Sequence, residues 1–248
     1  SDNAPEYQRL TGKQIGSKYG FIANGLFQSE EEIANSATVK GYKALPGYIK
    51  YVDRNGDGII TAAQDQGYVG KSATPKHTGS LNLFGNWKGF DFDLLFSWGL
   101  GNVVALTGQY TASGSEGTQD NTSFTKPFYH GGNSPTFLVE NSWTPDHTNA
   151  EFPRLEITGP SNNNGYSSTF WYRNGNYMRL KTAQIGYNFP KKWLNPAGIE
   201  GLRLYVEGYN LLTFSGLTKY NIDPESPAVN NGYYPQQRTY TLGVKLTF

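Results

Sequence analysis

The sequence has no cysteine, which excludes a disulfide framework and any thiolate site. That absence suits a protein crossing an oxidising periplasm, and many cytosolic domains share it. Methionine occurs once, and charged residues make up only 17% of the chain against a usual quarter. A net charge of +1, with Lys and Arg scattered, gives no reason to expect a nucleic-acid partner. No apolar run approaches the roughly 18 residues of a membrane helix. There is no signal peptide at the start, and the polar, Pro-containing sequence from Ser1 reads like the middle of a longer protein. The negative mean hydropathy, −0.57, does not exclude a membrane, because barrel strands present only alternate residues to lipid. What the chain has in excess is Tyr (18), Phe (14) and Gly (30). These favour strands and turns over helices. Its 248 residues allow one large domain or two small ones.

Along the chain, Ser29-Glu30-Glu31-Glu32-Ile33 has the look of a short helix start, with Ser as N-cap and Glu in the first turn. An acidic loop follows at residues 53–65. Ser80 to Trp87 then leads through Lys88-Gly89 into Phe90 to Trp98, a tight hairpin between alternating runs. On the second of these strands Phe90, Phe92, Leu94, Phe96 and Trp98 share one face, opposite Asp91, Asp93, Leu95 and Ser97. Five large apolar side chains with aromatics at both ends match a lipid band closed by aromatic girdles. A strand of a soluble sandwich, with that face in its core, matches equally well. Residues 99–176 are rich in Gly, Ser, Thr, Asn and Pro, with room for a strand within 102–110. A compact soluble domain rarely holds so long an irregular stretch; barrels with long extracellular loops do. Strands return at Tyr177 to Phe189, stopped by Pro190, and at Gly201 to Asn210. In the last run Tyr240, Leu242, Val244, Leu246 and Phe248 alternate with Thr241, Gly243, Lys245 and Thr247. Alternating apolar residues ending on an aromatic resemble the assembly signal of Gram-negative outer-membrane barrels. Three alternating strands and that ending together point to an all-β, antiparallel transmembrane barrel segment. The expected division is residues 1–76, extracellular loops with the acidic loop, and residues 77–248, barrel strands and loops.

The acidic loop carries the sharpest chemistry. Asp53, Asn55 and Asp57 stand at alternate positions with Gly58 sixth, so that the backbone can wrap a hard cation; Ile59 would add its carbonyl and Ile60 an apolar anchor. The twelfth position holds Gln64, and Asp65, one later, closes the site if the loop bulges. Ca²⁺ in a structural role is the expected cofactor, since Mg²⁺ prefers fewer protein ligands. The alternative is a metal-free turn, which Asn-Gly and Asp-Gly also favour. His77, His130 and His147 show no ligand spacing. Asp91 and Asp93 stand side by side on one strand, which suits a wet lumen better than two carboxylates flanking a sugar. Trp143, Phe170, Trp171 and Tyr172 would stack on a ligand, pack loop on loop, or sit in an interfacial belt. No nucleophile elbow, P-loop or dinucleotide fingerprint is present, and no catalytic residue is expected.

Several stretches, in order, resemble the SusC/RagA family of TonB-dependent outer-membrane transporters. Gly20 to Ser29 with Glu31-Glu32-Ile33 is one, and Pro46 to Asp53 another. Trp143-Thr144-Pro145-Asp146-His147 with Phe152-Pro153-Arg154-Leu155 follows. Then come Tyr177-Met178-Arg179-Leu180-Lys181, Gly186 to Pro190, Asn210-Leu211-Leu212-Thr213, Asp223-Pro224-Glu225, and Pro235 leading into Tyr240 to Gly243. The resemblance spans nearly the whole chain and implies a plugged barrel of roughly 22 strands. It implies import of glycan or peptide nutrients in Bacteroidota, energised by the TonB complex, with a SusD-like surface lipoprotein as lid. Loops like 53–65 occur in this family, where they look like Ca²⁺ sites outside the membrane. A chain of this length supplies about a third of such a barrel at roughly 10 residues per strand. The resemblance therefore implies that the remainder of the barrel and plug lie elsewhere, and that Phe248 is the true end of the larger protein. The competing readings are a secreted, Ca²⁺-binding, β-rich glycan-binding module and a β-rich glycoside hydrolase.

Overall fold

Alternation of apolar and polar residues builds long strands here, and Gly-rich punctuation separates them. The computed structural model describes residues 4–9, 11–106, 136–155, 163–226 and 236–248. Packing divides the chain into two units, Ser1–Ala73 with Val103–Arg173, and Thr74–Asn102 with Asn174–Phe248. His130 and Pro235 lie outside the described residues. The early strands are short: β1 (Lys18–Gly20), β2 (Ala23–Leu26), β3 (Thr38–Val39), β4 (Ile49–Tyr51), β5 (Ile59–Ile60) and β6 (Gly67–Gly70). Then come β7 (His77–Trp87) and β8 (Phe90–Leu100), the short β9 (Val103–Ala105) and β10 (Tyr172–Asn174), and β11 (Tyr177–Asn188), β12 (Gly201–Ser215) and β13 (Thr239–Thr247). No helix among the described residues is long and apolar enough to cross a membrane.

The first unit is a packed assembly of loops. β1 pairs with β6, β2 with β4, β3 with β5, and β9 with β10. Ser29 caps the short helix Glu30–Ala34 by accepting the Glu32 N–H, and Glu32 returns to accept the Gln28 N–H at 2.7 Å. The same carboxylate is paired with Lys50; the Lys50 hydrogen bond, then that of Gln28, holds it below the usual carboxylate range. The core gathers aromatics from distant segments. Phe21 lies 4.9 Å from Tyr51 and 5.6 Å from Tyr166, and Phe152 is 6.3 Å from Trp171. The Trp171 indole donates to the Asn164 carbonyl at 2.7 Å, so its one polar atom is satisfied in the interior. The described residues between 103 and 173 thus pack with the start of the chain, through contacts that no local pattern announces.

The second unit is a five-stranded antiparallel sheet in the order β13-β12-β11-β8-β7. The β7–β8 hairpin turns at Lys88 (φ 51°) and Gly89 (φ 93°), the two left-handed residues that a type I′ turn requires. β8 pairs with β11 across the long connection between them, so the long strands follow one another as a meander. At Lys181 the ladder shifts on both sides. Against β8, β11 has one extra residue; against β12, the extra residue belongs to β12, where Asn210 adopts φ 54°. Stacked bulges of this kind bend a sheet and re-aim side chains.

Candidate functional site

Register places one row of side chains across all five strands on each face. Gly85, Phe92, Ile185, Val206 and Leu242 stand in line on one side. Leu81, Leu83, Leu94, Phe96, Leu204 and Val244 extend that face above and below. Its members are open to the surroundings: Val206 is 53% exposed and Leu242 78%. Burying a Val or Leu side chain is worth about 1.5–3 kcal/mol, so a face of this size left in water is a large unmet term. Soluble monomers seldom carry a contiguous apolar patch beyond a few hundred Å². β8 is eleven residues long; at about 3.3 Å each and a tilt of ~40° it rises roughly 28 Å, enough for an apolar band about 25 Å tall.

Aromatics gather at the short-turn end of this face. Phe90 lies 4.7 Å from Tyr187, Tyr187 5.0 Å from Phe189, and Phe189 6.4 Å from Trp193. The Lys88 ammonium sits 4.8 Å over the Trp87 ring. Rings with an adjacent cation make the amphipathic belt found where lipid meets water. Trp98 lies at the other end of β8 and covers Gly79 of β7, where any side chain would displace it.

The opposite face is polar. Asp93, Gln184, Glu207 and Thr241 form one row, and Asp91, Gly186, Tyr205 and Gly243 the next. Two apolar residues share this face, Leu95 and Phe84, the latter an exposed aromatic opposite Asp93. Arg203 reaches across β11 to Asp91, with Nε 2.9 Å from Oδ2 and Nη2 paired with Oδ1. On the way Nη2 donates to Gln184 Oε1 at 2.7 Å, and Asn188 donates to Asp91 Oδ2 at 2.7 Å. The path is open only because position 186 is Gly: a Cβ there would lie 2.5–2.7 Å from the guanidinium. The Tyr205 ring covers Gly243 in the same way, an aromatic packed on a strand glycine that helps pin register. Asp91 and Asp93 therefore share the polar face, one of them bound to Arg203.

Near the other end of β11 three of the motifs noted in sequence come together. Arg179 donates to both Asp223 oxygens at 2.7 Å and pairs with Glu225 at 2.7 Å. Lys181 takes the other Glu225 oxygen at 2.9 Å. Asn210, at the bulge, donates to the Gln237 carbonyl at 3.1 Å. An Arg and two acids 44 and 46 positions further along carry no local sign of pairing.

In the first unit the acidic loop is closed by its own hydrogen bonds. Asp53 accepts from the Gly56 and Gly58 N–H groups, both at 2.7 Å. Asn55 and Asp57 accept from Asp57 at 3.3 Å and Ile59 at 2.9 Å. Gly56 and Gly58 take the left-handed backbone (φ 77° and 84°) that these turns need. The Asp57 carboxyl is held below its usual range by Asn55 and then by the Ile59 N–H. Asp65 is fully buried, accepting from Arg54 at 2.8 Å and Thr61 at 2.7 Å, and Ile60 is anchored in the core as expected. Among the described residues no three His, Asp or Glu side chains converge as a metal-ligand set. The donors are nevertheless hard oxygens, and a carboxylate oxygen holding one N–H retains a second lone pair.

The terminal-strand residues Tyr240, Leu242, Val244 and Leu246 all lie on the apolar face, paired with Gly208, Val206, Leu204 and Leu202. Phe248, just beyond β13, is exposed. Of the loop aromatics, Trp143 and Trp171 are buried. Trp143 donates to Gln28 at 3.1 Å, and Phe170 lies edge-on to Trp171 at 4.9 Å; these pack loop on loop. Tyr172 shares a 2.6 Å hydrogen bond with Ser167.

No family model matches the chain. Curated relatives do, all from Formosa agariphila. TonB-dependent receptor P3 is 31% identical over 268 residues, covering 100% of this chain and 24% of its own length. TonB-dependent receptor P26 is 29% identical, covering 96% of this chain and 23% of its own length. The chain thus spans about a quarter of the curated relatives it matches. Among solved structures, the RagAB peptide transporter superposes with a TM-score of 0.62 at 23% identity, covering 94% of this chain and 23% of that one. The RagAB peptide importer in its open-open state gives 0.59 at 24% identity over 94% of this chain and 22% of that one. At such identities the structural match speaks for the fold. These relatives are receptors and transporters rather than enzymes. Along its own full length the chain is thus similar in sequence to part of the TonB-dependent receptors, and in fold to part of the RagAB transporter.

Proposed function

We propose that this chain forms part of the wall of an outer-membrane barrel of roughly 22 strands, in a TonB-dependent importer of oligosaccharide or peptide nutrients. The carrying observation is the two-faced sheet, apolar and exposed on one side, polar on the other, with β7 and β13 at its edges. An open sheet edge in lipid is prohibitively costly, so these edges pair with the remainder of the barrel, which also encloses the plug. Short turns face the periplasm and long connections the exterior. The exterior loops meet a SusD-like surface lipoprotein, and the TonB complex acts through the part that holds the plug. No nucleic acid is involved. Fractionation tests this: the intact receptor should require detergent for extraction from outer membranes. A monomer freely soluble in buffer would instead favour a secreted glycan-binding or hydrolytic module.

Tyr240, Leu242, Val244, Leu246 and Phe248 serve in this reading as the assembly signal. Deleting Phe248 should sharply lower the amount of heat-modifiable, folded barrel recovered from outer membranes. Wild-type recovery would remove the signal from the proposal.

The acidic loop is a structural Ca²⁺ site built from Asp53, Asn55, Asp57, the Ile59 carbonyl and Asp65. Binding would draw the carboxylates inward and fasten residues 4–9, where Tyr7 donates to the Gln64 carbonyl at 2.6 Å and stacks under Arg54 at 3.9 Å. Asp53→Ala with Asp57→Ala should abolish Ca²⁺ retained after dialysis, read by elemental analysis, and leave the barrel folded. Equal Ca²⁺ in both proteins would leave the loop a hydrogen-bonded turn.

A further inference from the structure

Arg179 projects from the polar face of β11, between Ser97 of β8 and Thr213 of β12, yet its side chain is only 2% exposed. The covering segment comes from the far end of β12. Ser215 donates to the Asn176 carbonyl at 3.1 Å and receives the Leu217 N–H at 3.2 Å, turning the chain back. Leu217, Tyr220 and Ile222 are buried, and Asn221 adopts φ 55° at the end of a single turn. Asp223 and Glu225 then arrive over the polar face, where Arg179 grips the first through both oxygens. The Asp223 carboxylate also accepts the Glu225 N–H at 2.9 Å, and Gln236, just ahead of β13, pairs with Arg179.

Charge explains why this arrangement holds. Arg179 and Lys181 face Asp223 and Glu225, two cations against two anions. Two positions apart on β11, both cations reach Glu225 from one strand. A buried guanidinium needs such partners, because removing one side of the pair strands the other in low dielectric. The planar fork of Arg suits a carboxylate approached through both oxygens, a geometry that Lys cannot copy.

We propose that Leu217–Glu225 is a fixed, inward-folded shelf on the polar side of the barrel wall, latched to β11 by Arg179. The proposal rests on the barrel-wall reading above. Under that reading the shelf is a permanent narrowing of the passage at its long-connection end. Its rigidity comes from the ion network rather than from sheet pairing.

The test uses the full-length receptor in detergent, with Ile222→Cys as reporter in a background free of other reactive thiols. A bulky, water-soluble maleimide should label it slowly while Arg179 is present. With Arg179→Met, labelling should accelerate roughly tenfold or more as the segment opens. Asp223→Asn, which keeps the side-chain volume, should also accelerate it, and serves if the Arg179 variant does not assemble. Fast labelling with Arg179 intact would overturn the fixed shelf. Unchanged protection in an assembled Asp223→Asn or Arg179→Met barrel would overturn the latch. Heat-modifiability of each sample, read alongside, reports separately on the barrel-wall reading.

Discussion

Leu94→Arg should prevent most of the chain from reaching a folded barrel, while Leu95→Arg, one residue along, should be tolerated. Leu94 lies near the middle of β8 on the apolar face, between Leu83 and Ala183. An Arg at the midplane of a lipid-facing barrel surface costs about 2–4 kcal/mol, a large share of ordinary stability. Leu95 points the other way, between Asn82 and Thr182. Asp93 is its neighbour two residues away on the same face, so a cation placed there gains a carboxylate and water. The measurement is the fraction of heat-modifiable barrel in outer membranes, or the denaturant midpoint of the receptor folded into micelles. Equal damage from both changes would mean that both faces are buried, as in a soluble sandwich. Damage from Leu95→Arg alone would reverse the assignment of the faces.

That contrast depends on features readable in sequence for a simple reason. A period of two survives whatever the strand packs against, so the Phe90 to Trp98 run announced its two faces, and Lys88-Gly89 its turn. The last strand was legible in the same way. Its observed span, Thr239–Thr247, differs from the expected one only at the ends. What sequence could not show is which strands are neighbours across long connections. β8 pairs with β11 far along the chain, and the bulges that shift that ladder depend on both partners. The helix start at Ser29 was legible because capping is local.

The candidate sites divide along the same line. The acidic loop could be read because its donors lie within thirteen consecutive residues, and the structure keeps them in one closed turn. Arg179 could not, because its partners are brought to it only when the segment after β12 folds back. Trp143 and Trp171 were ambiguous for a related reason. An aromatic in a polar stretch can face a ligand or a neighbouring loop, and only long-range packing decides. The described residues of 103–173 join the first unit in part through those aromatics, Trp143 hydrogen-bonding to Gln28.

Gly186→Ala should destabilise the sheet in the native background and become neutral or stabilising once Arg203 is Ala. Arg203 crosses β11 directly over Gly186 to reach Asp91 and Gln184. An added methyl would sit 2.5–2.7 Å from the guanidinium, so the Arg must withdraw. Hydrogen bonds to a charged partner contribute about 1.5–3 kcal/mol, and Asp91 would be left with Asn188 alone from this network. The expected loss is therefore about 1–3 kcal/mol, somewhat reduced because both side chains keep partial contact with water. With Arg203→Ala that penalty has already been incurred, and the three atoms nearest an added Cβ at position 186 are gone. Glycine in a strand interior is itself unfavourable by roughly 0.5–1 kcal/mol relative to Ala, so the second substitution should now help. A double-mutant cycle of denaturant midpoints on the folded receptor in micelles reads both signs. If Gly186→Ala were equally harmful in both backgrounds, the glycine would be needed for its backbone, and the Arg203 crossing would not be the reason position 186 must stay bare.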